Sequence, residues 1–371
     1  HGPLPPGGRQ PHNGATQPWS VLPPIAEQRW QLPMPLHSTL LQGEPGASDL
    51  PAPLLAVLRR RGHSSTAAIE ALLEPEPAPP AQEHFNDLPA AVARLQRACQ
   101  QGEAVAICGD YDADGMTSTA LLMGVLQRLG AKPRPAIPSR MADGYGLNAA
   151  MVEQLAGDGI ALLITVDNGV SADQALARAQ DLGLEVILTD HHTLPQQLPP
   201  HLALLHPAVT PAGSPYRGLA GVGLAYVLGA ALAKAMGDAG GLEIAQNLFC
   251  IGTIADMAPL QGVNRRWLCE GLPRLARSAL PGLQALGQLA GLGDRAIDAQ
   301  AVGFQLAPRI NAVGRLGDPE LVVELLTTAD QTRALELARA CEALNRQRRE
   351  LCDAIEAEAL ALLDADGDQR S

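Results

Sequence analysis

The stretch Asp110-Tyr111-Asp112-Ala113-Asp114-Gly115 sets three carboxylates at alternate positions. Three anions this close repel one another and raise each other's pKa unless a cation sits among them. An all-oxygen set suits a hard divalent ion, magnesium or manganese. A solvated acidic loop would leave the same pattern, so the stretch gains meaning from its company. Leu162 to Val166 is a β-branched run that ends on Asp167-Asn168-Gly169, and Val186 to Thr189 is another that ends on Asp190-His191-His192. Asp256 interrupts the apolar segment Ile251 to Leu260, where a buried acid needs a partner.

The elements around these residues are those of an α/β fold. The apolar run Ala104 to Cys108 leads into the acidic turn, and a helix-like pattern covers Thr117 to Leu129. Helix Ala90 to Gln100, a short segment at Pro135 to Pro138, helix Ala149 to Gly157, strand Ala161 to Val166, helix Ala172 to Leu182, and strands Glu185 to Thr189 and Leu202 to Leu205 complete the alternation. Such alternation predicts a parallel sheet with helices on both faces. In that sheet the carboxyl ends of the strands line one crevice, so acids far apart in sequence converge. Beyond Gly221 a helical extension is expected: Leu224 to Met236, Leu242 to Ala255, Arg265 to Ser278, Leu283 to Leu289 and Ala299 to Leu306. The long amphipathic run Asp330 to Leu363 reads as a C-terminal connector helix. The implied organisation is a Pro/Gly-rich disordered tail over 1–48, a small helical segment and linker over 49–85, a catalytic domain over 86–325 and the connector over 330–364.

Composition narrows the class. The six cysteines, Cys99, Cys108, Cys250, Cys269, Cys341 and Cys352, form no C-x-x-C pair and read as reduced residues of a cytoplasmic protein. No run approaches the roughly 18 apolar residues of a membrane span, so no membrane partner is expected. A net charge of −12 argues against a general polyanion-binding surface, and any nucleic-acid contact must be local. Lys132 and Lys234 are the only lysines, and the arginines that dominate the basic residues suit bidentate phosphate contacts.

These motifs, together with Gly252-Thr253-Ile254-Ala255-Asp256-Met257-Ala258-Pro259-Leu260 and Pro308-Arg309-Ile310-Asn311-Ala312-Val313-Gly314-Arg315-Leu316, stand in the order found in the DHH phosphoesterases. The sequence resembles that family from about Asp49 onward. The last block, with Ser139 to Leu147, is most similar to its single-stranded-DNA exonucleases. The resemblance implies two Mn²⁺ or Mg²⁺ ions, bound roughly 3.5–4 Å apart, that activate water and clamp a phosphodiester. It implies Asp112 and Asp167 on one ion, and Asp114, Asp167, His191 and Asp256 on the other, with Asp167 bridging. Asp110 is either a ligand or a neighbour of one. Asp190 would orient a neighbouring group, and His192 would face the scissile phosphate. Many relatives carry a histidine where this chain has Cys108, which reads here as a packed thiol. Arg140 and Tyr145, in a Gly-rich loop, would hold a phosphate and stack a base, and Arg309 and Arg315 flank Asn311 in another loop facing DNA. Gly221-Val222-Gly223 opens a helix whose amides could meet a phosphate or simply allow tight packing.

The activity so implied is 5′-to-3′ degradation of single-stranded DNA to 5′-mononucleotides in DNA repair and recombination, with single-strand-binding protein and helicase as further partners. A DHH phosphodiesterase or oligoribonuclease acting on short nucleotides, or a non-catalytic DHH scaffold, are the alternatives. Family members continue past such a connector into a second domain with a G-G-H motif and an OB-type domain. Neither pattern occurs before Ser371, so this stretch alone is expected to hold DNA weakly.

Overall fold

A computed structural model describes residues 50–140, 144, 146–293 and 296–368. The expected tail over 1–48 and Tyr145 lie outside the described residues. The chain divides into two units, His1–Glu70 and Ala71–Ser371. The described part of the first holds helix α1 (Ala52–Arg60) and the start of α2 (Thr66–Leu73).

The second unit is organised on a five-stranded parallel sheet: β1 (Ala104–Cys108), β2 (Lys132–Ala136), β3 (Leu162–Val166), β4 (Glu185–Thr189) and β5 (Ala203–Leu205), in the order β2-β1-β3-β4-β5. Side chains alternate across the pleat. Val105, Ile107, Leu162 and Ile164 therefore face one apolar layer, and Ala106, Cys108, Leu163 and Leu188 face the other. The first layer is closed by α3 (Leu88–Gln101), α4 (Ala113–Arg128), α7 (Gly221–Met236) and α8 (Ala239–Ala255), and the second by α5 (Ala149–Gly157) and α6 (Asp173–Asp181). With both faces covered, the strands carry continuous apolar runs, and all five residues of β3 are buried.

Strand β2 departs from the expected short segment at 135–138. Its Lys-Pro-Arg-Pro-Ala sequence pairs with β1 alone, from Ala104 opposite Lys132 to Cys108 opposite Ala136. An edge strand tolerates proline because its outward groups need no partner in the sheet.

Helix α4 begins at Ala113, four residues earlier than the apolar period suggests. Asp112 is its N-cap and accepts a hydrogen bond from Gly115 N at 3.0 Å, so the acidic stretch is the head of a helix rather than a turn before one. After α9 (Gly262–Leu275) and α10 (Pro281–Leu289), the chain forms a short helical turn at Ala299–Ala301, a π-helical turn at Val302–Leu306 and α11 (Ala307–Leu316). The expected loop around Asn311 is thus a helix. Pro308 favours a helix break, because proline in a helix interior loses a donor and crowds the carbonyl four residues back. Here it lies in the first turn after the π turn, and Arg309 Nη1 donates to the Gln305 carbonyl.

Helices α12 (Glu320–Thr327) and α13 (Gln331–Asp368) follow. Ala334, Leu337, Ala338 and Cys341 bury the first turns of α13, whereas Leu351, Ile355, Leu360 and Leu363 are exposed.

Candidate metal centre

The strand order reverses direction between β1 and β3, the position at which doubly wound sheets open a crevice. Asp110 follows β1 by two residues, Asp167 follows β3 directly and Asp190 follows β4 directly. Asn168 joins the first two strand ends, its Nδ2 donating to the carbonyls of Cys108 and Val166 at 3.0 and 2.9 Å. Asp167 adopts the left-handed conformation at φ 61°, one that aspartate tolerates better than most side chains.

Asp114, in the first turn of α4 and 1% exposed, accepts hydrogen bonds at 2.7 Å from both Gly221 N and Val222 N. Of the two readings of these amides, a phosphate site or tight packing, neither names the partner found: they are engaged by this carboxylate, whose charge suits a helix N-terminus. The approach is close: a Cβ on Gly221 would lie 2.6 Å from Asp167 Cβ. Asp256 caps the C-terminus of α8.

His191 Nε2 stands 2.9 Å from Asp167 Oδ1 and 3.8 Å from Asp114 Oδ2. Among the described residues, three groups have ligand atoms within 4.8 Å of one another: Asp110 with Asp112 and Asp167, Asp114 with His191 and Asp256, and Asp167 with both His191 and His192. Asp110 Oδ1 is buried without a hydrogen bond, and Asp167 Oδ1 is buried against the His191 imidazole without a well-directed hydrogen bond. Orphaned carboxylate oxygens grouped with one imidazole nitrogen fit a hard divalent cation.

Electrostatics set these acids apart. Burial, reinforced by Asp112, pushes Asp110 and Asp256 up to about 6. Burial and the neighbouring carboxylates raise Asp114 and Asp167 well above the ordinary range. A bound cation would reverse that penalty.

Asp190 behaves in the opposite way. Its burial opposes ionisation, but the His192 imidazole at 2.8 Å and the amides of Val170 and His192 hold its pKa below the usual range. His192 is raised in turn, chiefly by Asp190, and its side chain is partly exposed. His191 is lowered by burial and by His192.

Cys108 is enclosed in the apolar layer, and burial pushes its thiol up to about 12, so it stays protonated and packs. Two further groups escaped the sequence reading. His206, buried just beyond β5, pairs through Nε2 with the His192 carbonyl at 2.7 Å and accepts from Ala208 N through Nδ1 at 3.0 Å. Its place at a strand end was the available signal. Asn168 stood within the quoted motif, but its clasp across two strands is visible only in three dimensions.

The four described nucleic-acid candidates have different surroundings. Arg140 lies over the Tyr111 ring at 5.4 Å. Arg309 pairs with Glu342 at 2.6 Å, and Asn311 Oδ1 accepts from Ala113 N at 2.8 Å, so both are committed within the protein. Arg315 is exposed in the last turn of α11.

Residues 104–253 match the model of the DHH family, N-terminal domain. The chain is 40% identical over 277 residues to the single-stranded-DNA-specific exonuclease RecJ of Bacillus subtilis (strain 168), covering 75% of this chain and 35% of that protein. It is 36% identical over 331 residues to the enzyme of the same name from Escherichia coli (strain K12), covering 85% and 57%. It therefore spans well under two thirds of these curated relatives. A crystal structure of exonuclease RecJ bound to manganese superposes with a TM-score of 0.69 at 38% identity, covering 75% of this chain and 70% of that one. RecJ from Thermus thermophilus in complex with Mn²⁺ gives 0.74 at 34% identity, covering 88% and 46%.

Proposed function

The chain belongs to the DHH family, and on that premise we propose that it is the catalytic core of a divalent-metal-dependent exonuclease that hydrolyses single-stranded DNA from the 5′ end to 5′-mononucleotides. The observation that carries the reading is that Asp167 falls both in an all-oxygen group with Asp110 and Asp112 and beside the Asp114–His191–Asp256 group. One carboxylate shared by two adjoining ligand sets is the arrangement a bridged ion pair requires.

In the proposed assignment Asp112 and Asp167 hold one ion, with Asp110 on the same side. Asp114, Asp167, His191 and Asp256 hold the other. Bound there, Mn²⁺ or Mg²⁺ would supply an activated water and Lewis-acid stabilisation of the phosphodiester. His192, held by Asp190 with its pKa raised, keeps a proton available to a phosphate oxygen or the leaving group. In this reading Arg140, Arg315 and Tyr145 contact the strand. The buried carboxylates exclude an unneutralised phosphate, so the strand enters only alongside the cations. Residues 86–325 make up the catalytic domain in this reading. DNA repair and recombination, the cytoplasm, and single-strand-binding protein and helicase as partners complete the proposal. Among the described residues no helix is long and apolar enough to cross a membrane.

The test is digestion of 5′-labelled and 3′-labelled single-stranded DNA, and of a dinucleotide, with Mn²⁺ or EDTA. Mn²⁺-dependent release of labelled mononucleotide from the 5′-labelled strand is expected. Exclusive cleavage of the dinucleotide would move the chain to the small-substrate phosphodiesterases, and no cleavage with Mn²⁺ would leave a scaffold.

A further inference from the structure

Two large apolar side chains stand out of the fold beside the acids. Met257 is 88% exposed and Phe304 is 78% exposed, whereas the other two phenylalanines, Phe85 and Phe249, are fully buried. Met257 directly follows Asp256 and holds a left-handed φ of 59°, a conformation unfavourable for a side chain of this kind. Phe304 projects from the π turn Val302–Leu306, an irregularity that recurs at functional sites. The segments that carry them are packed together. Met257 N donates to Ile254 O at 3.1 Å, and a Cβ on Gly303 would lie 3.6 Å from Ile254 Cγ2. The turn bearing Phe304 therefore rests on the last turn of α8, which ends in Asp256 and Met257. Two turns further along the same helical run, Asn311 reaches Ala113 N in the head of α4. The two segments that present Met257 and Phe304 are thus both joined to the acidic cluster, one through Asp256 and the other through Asn311.

Exposed apolar surface is disfavoured in water, and strained backbone persists only where the surroundings enforce it. An acidic protein with so few aromatics gains nothing structural from presenting both. Their chemistry suits the one apolar part of a polynucleotide, the face of an unstacked base.

We propose that Met257 and Phe304 form an apolar clamp for a nucleobase of the strand whose phosphate sits at the acidic cluster. This inference rests on the single-stranded-DNA reading above and deepens it. The clamp engages any base by its face, so it confers a preference for unpaired strands without sequence preference. It also explains how an acidic molecule holds a polyanion, because part of the grip is independent of charge.

The test compares wild type, Phe304→Ala, Met257→Ala and Phe304→Trp on two Mn²⁺-dependent substrates, a single-stranded oligonucleotide and methyl p-nitrophenyl phosphate, which has no base. Each alanine variant should lose roughly tenfold in kcat/KM on the strand, as expected for one stacking contact. Phe304→Trp should retain activity, and all variants should match wild type on the small ester. Abasic nucleotides near the 5′ end should weaken wild type and leave Phe304→Ala little changed. Equal losses on both substrates, or none on the strand, overturn the clamp. Failure of wild type to cleave the strand overturns the functional reading, and the clamp with it.

Discussion

At the scale of single residues, Asp167 combines three costs: burial, like-charge neighbours and a left-handed backbone. Asparagine keeps the shape and tolerates that backbone, but removes the charge and its ability to bridge cations. Asp167→Asn is therefore expected to raise the melting temperature of the metal-free protein by about 2–4 °C or more, and to abolish both the Mn²⁺-induced rise in melting temperature and the nuclease activity. Scanning calorimetry with and without Mn²⁺ checks this, and a variant that still gained stability from the ion would contradict the bridge.

His192 is assigned to the phosphate rather than to the ions. His192→Ala should bind Mn²⁺ normally by calorimetry while losing roughly 10²- to 10⁴-fold in rate. Loss of Mn²⁺ in that variant and its retention in His191→Ala would exchange the two roles.

The acids also fix a pH dependence. Asp110 and Asp256 are raised to about 6, so the folded metal-free protein holds protons that the unfolded chain has released above about 4. Their contribution to stability is full below pH 4 and is lost as pH rises through 6. Cation binding requires the ionised forms and competes with those protons. The rise in melting temperature caused by Mn²⁺ should therefore be small near pH 5 and grow towards pH 7. A shift independent of pH over that range would refute the assignment of these two carboxylates.

At the scale of elements, the centre depends on how closely α4 and α7 approach the end of β3. A methyl group on Gly221 would meet Asp167 Cβ at 2.6 Å and Asp114 Oδ2 at 3.0 Å. Gly221→Ala should destabilise the fold by about 1–3 kcal/mol and weaken Mn²⁺ binding, because the helix start must retreat from both carboxylates. Denaturant melts and Mn²⁺ titration would measure the two effects, and unchanged Mn²⁺ affinity would show that the close approach is not needed.

The strands were legible because buried parallel strands carry their own signature, as Leu162 to Val166 does. The acids were legible because they stand where those runs stop. The head of α4 lies earlier than the apolar period predicts because Asp112, a candidate ligand, is also the cap, and one carboxylate can be both. Helix α11 replaces the loop expected around Asn311, because the π turn that leads into it has no local signature in the sequence. Asn311 belongs to that helix, and its side-chain oxygen fastens the head of α4, a contact 198 positions away that no local pattern could reveal.

At the scale of the whole molecule, a net charge of −12 and a local clamp together predict unusual binding behaviour. Nucleic-acid affinity that rests on many phosphate contacts falls steeply with salt. This chain should bind single-stranded DNA with a shallow salt dependence, releasing fewer than about three counterions, and only when a divalent ion is supplied. Fluorescence anisotropy over a salt series, with catalysis blocked by Ca²⁺ in place of Mn²⁺, would test this, and a steep slope would point to an extended basic track instead. The paired amides of Gly221 and Val222 carry one more consequence. They donate to a carboxylate whose protonation and, in the proposed assignment, cation occupancy change together, at the start of a helix buried in the main apolar layer. Their hydrogen-exchange rates should therefore track occupancy of the centre, slowing as it fills, and so give the protein a built-in gauge of cation loading that needs no substrate.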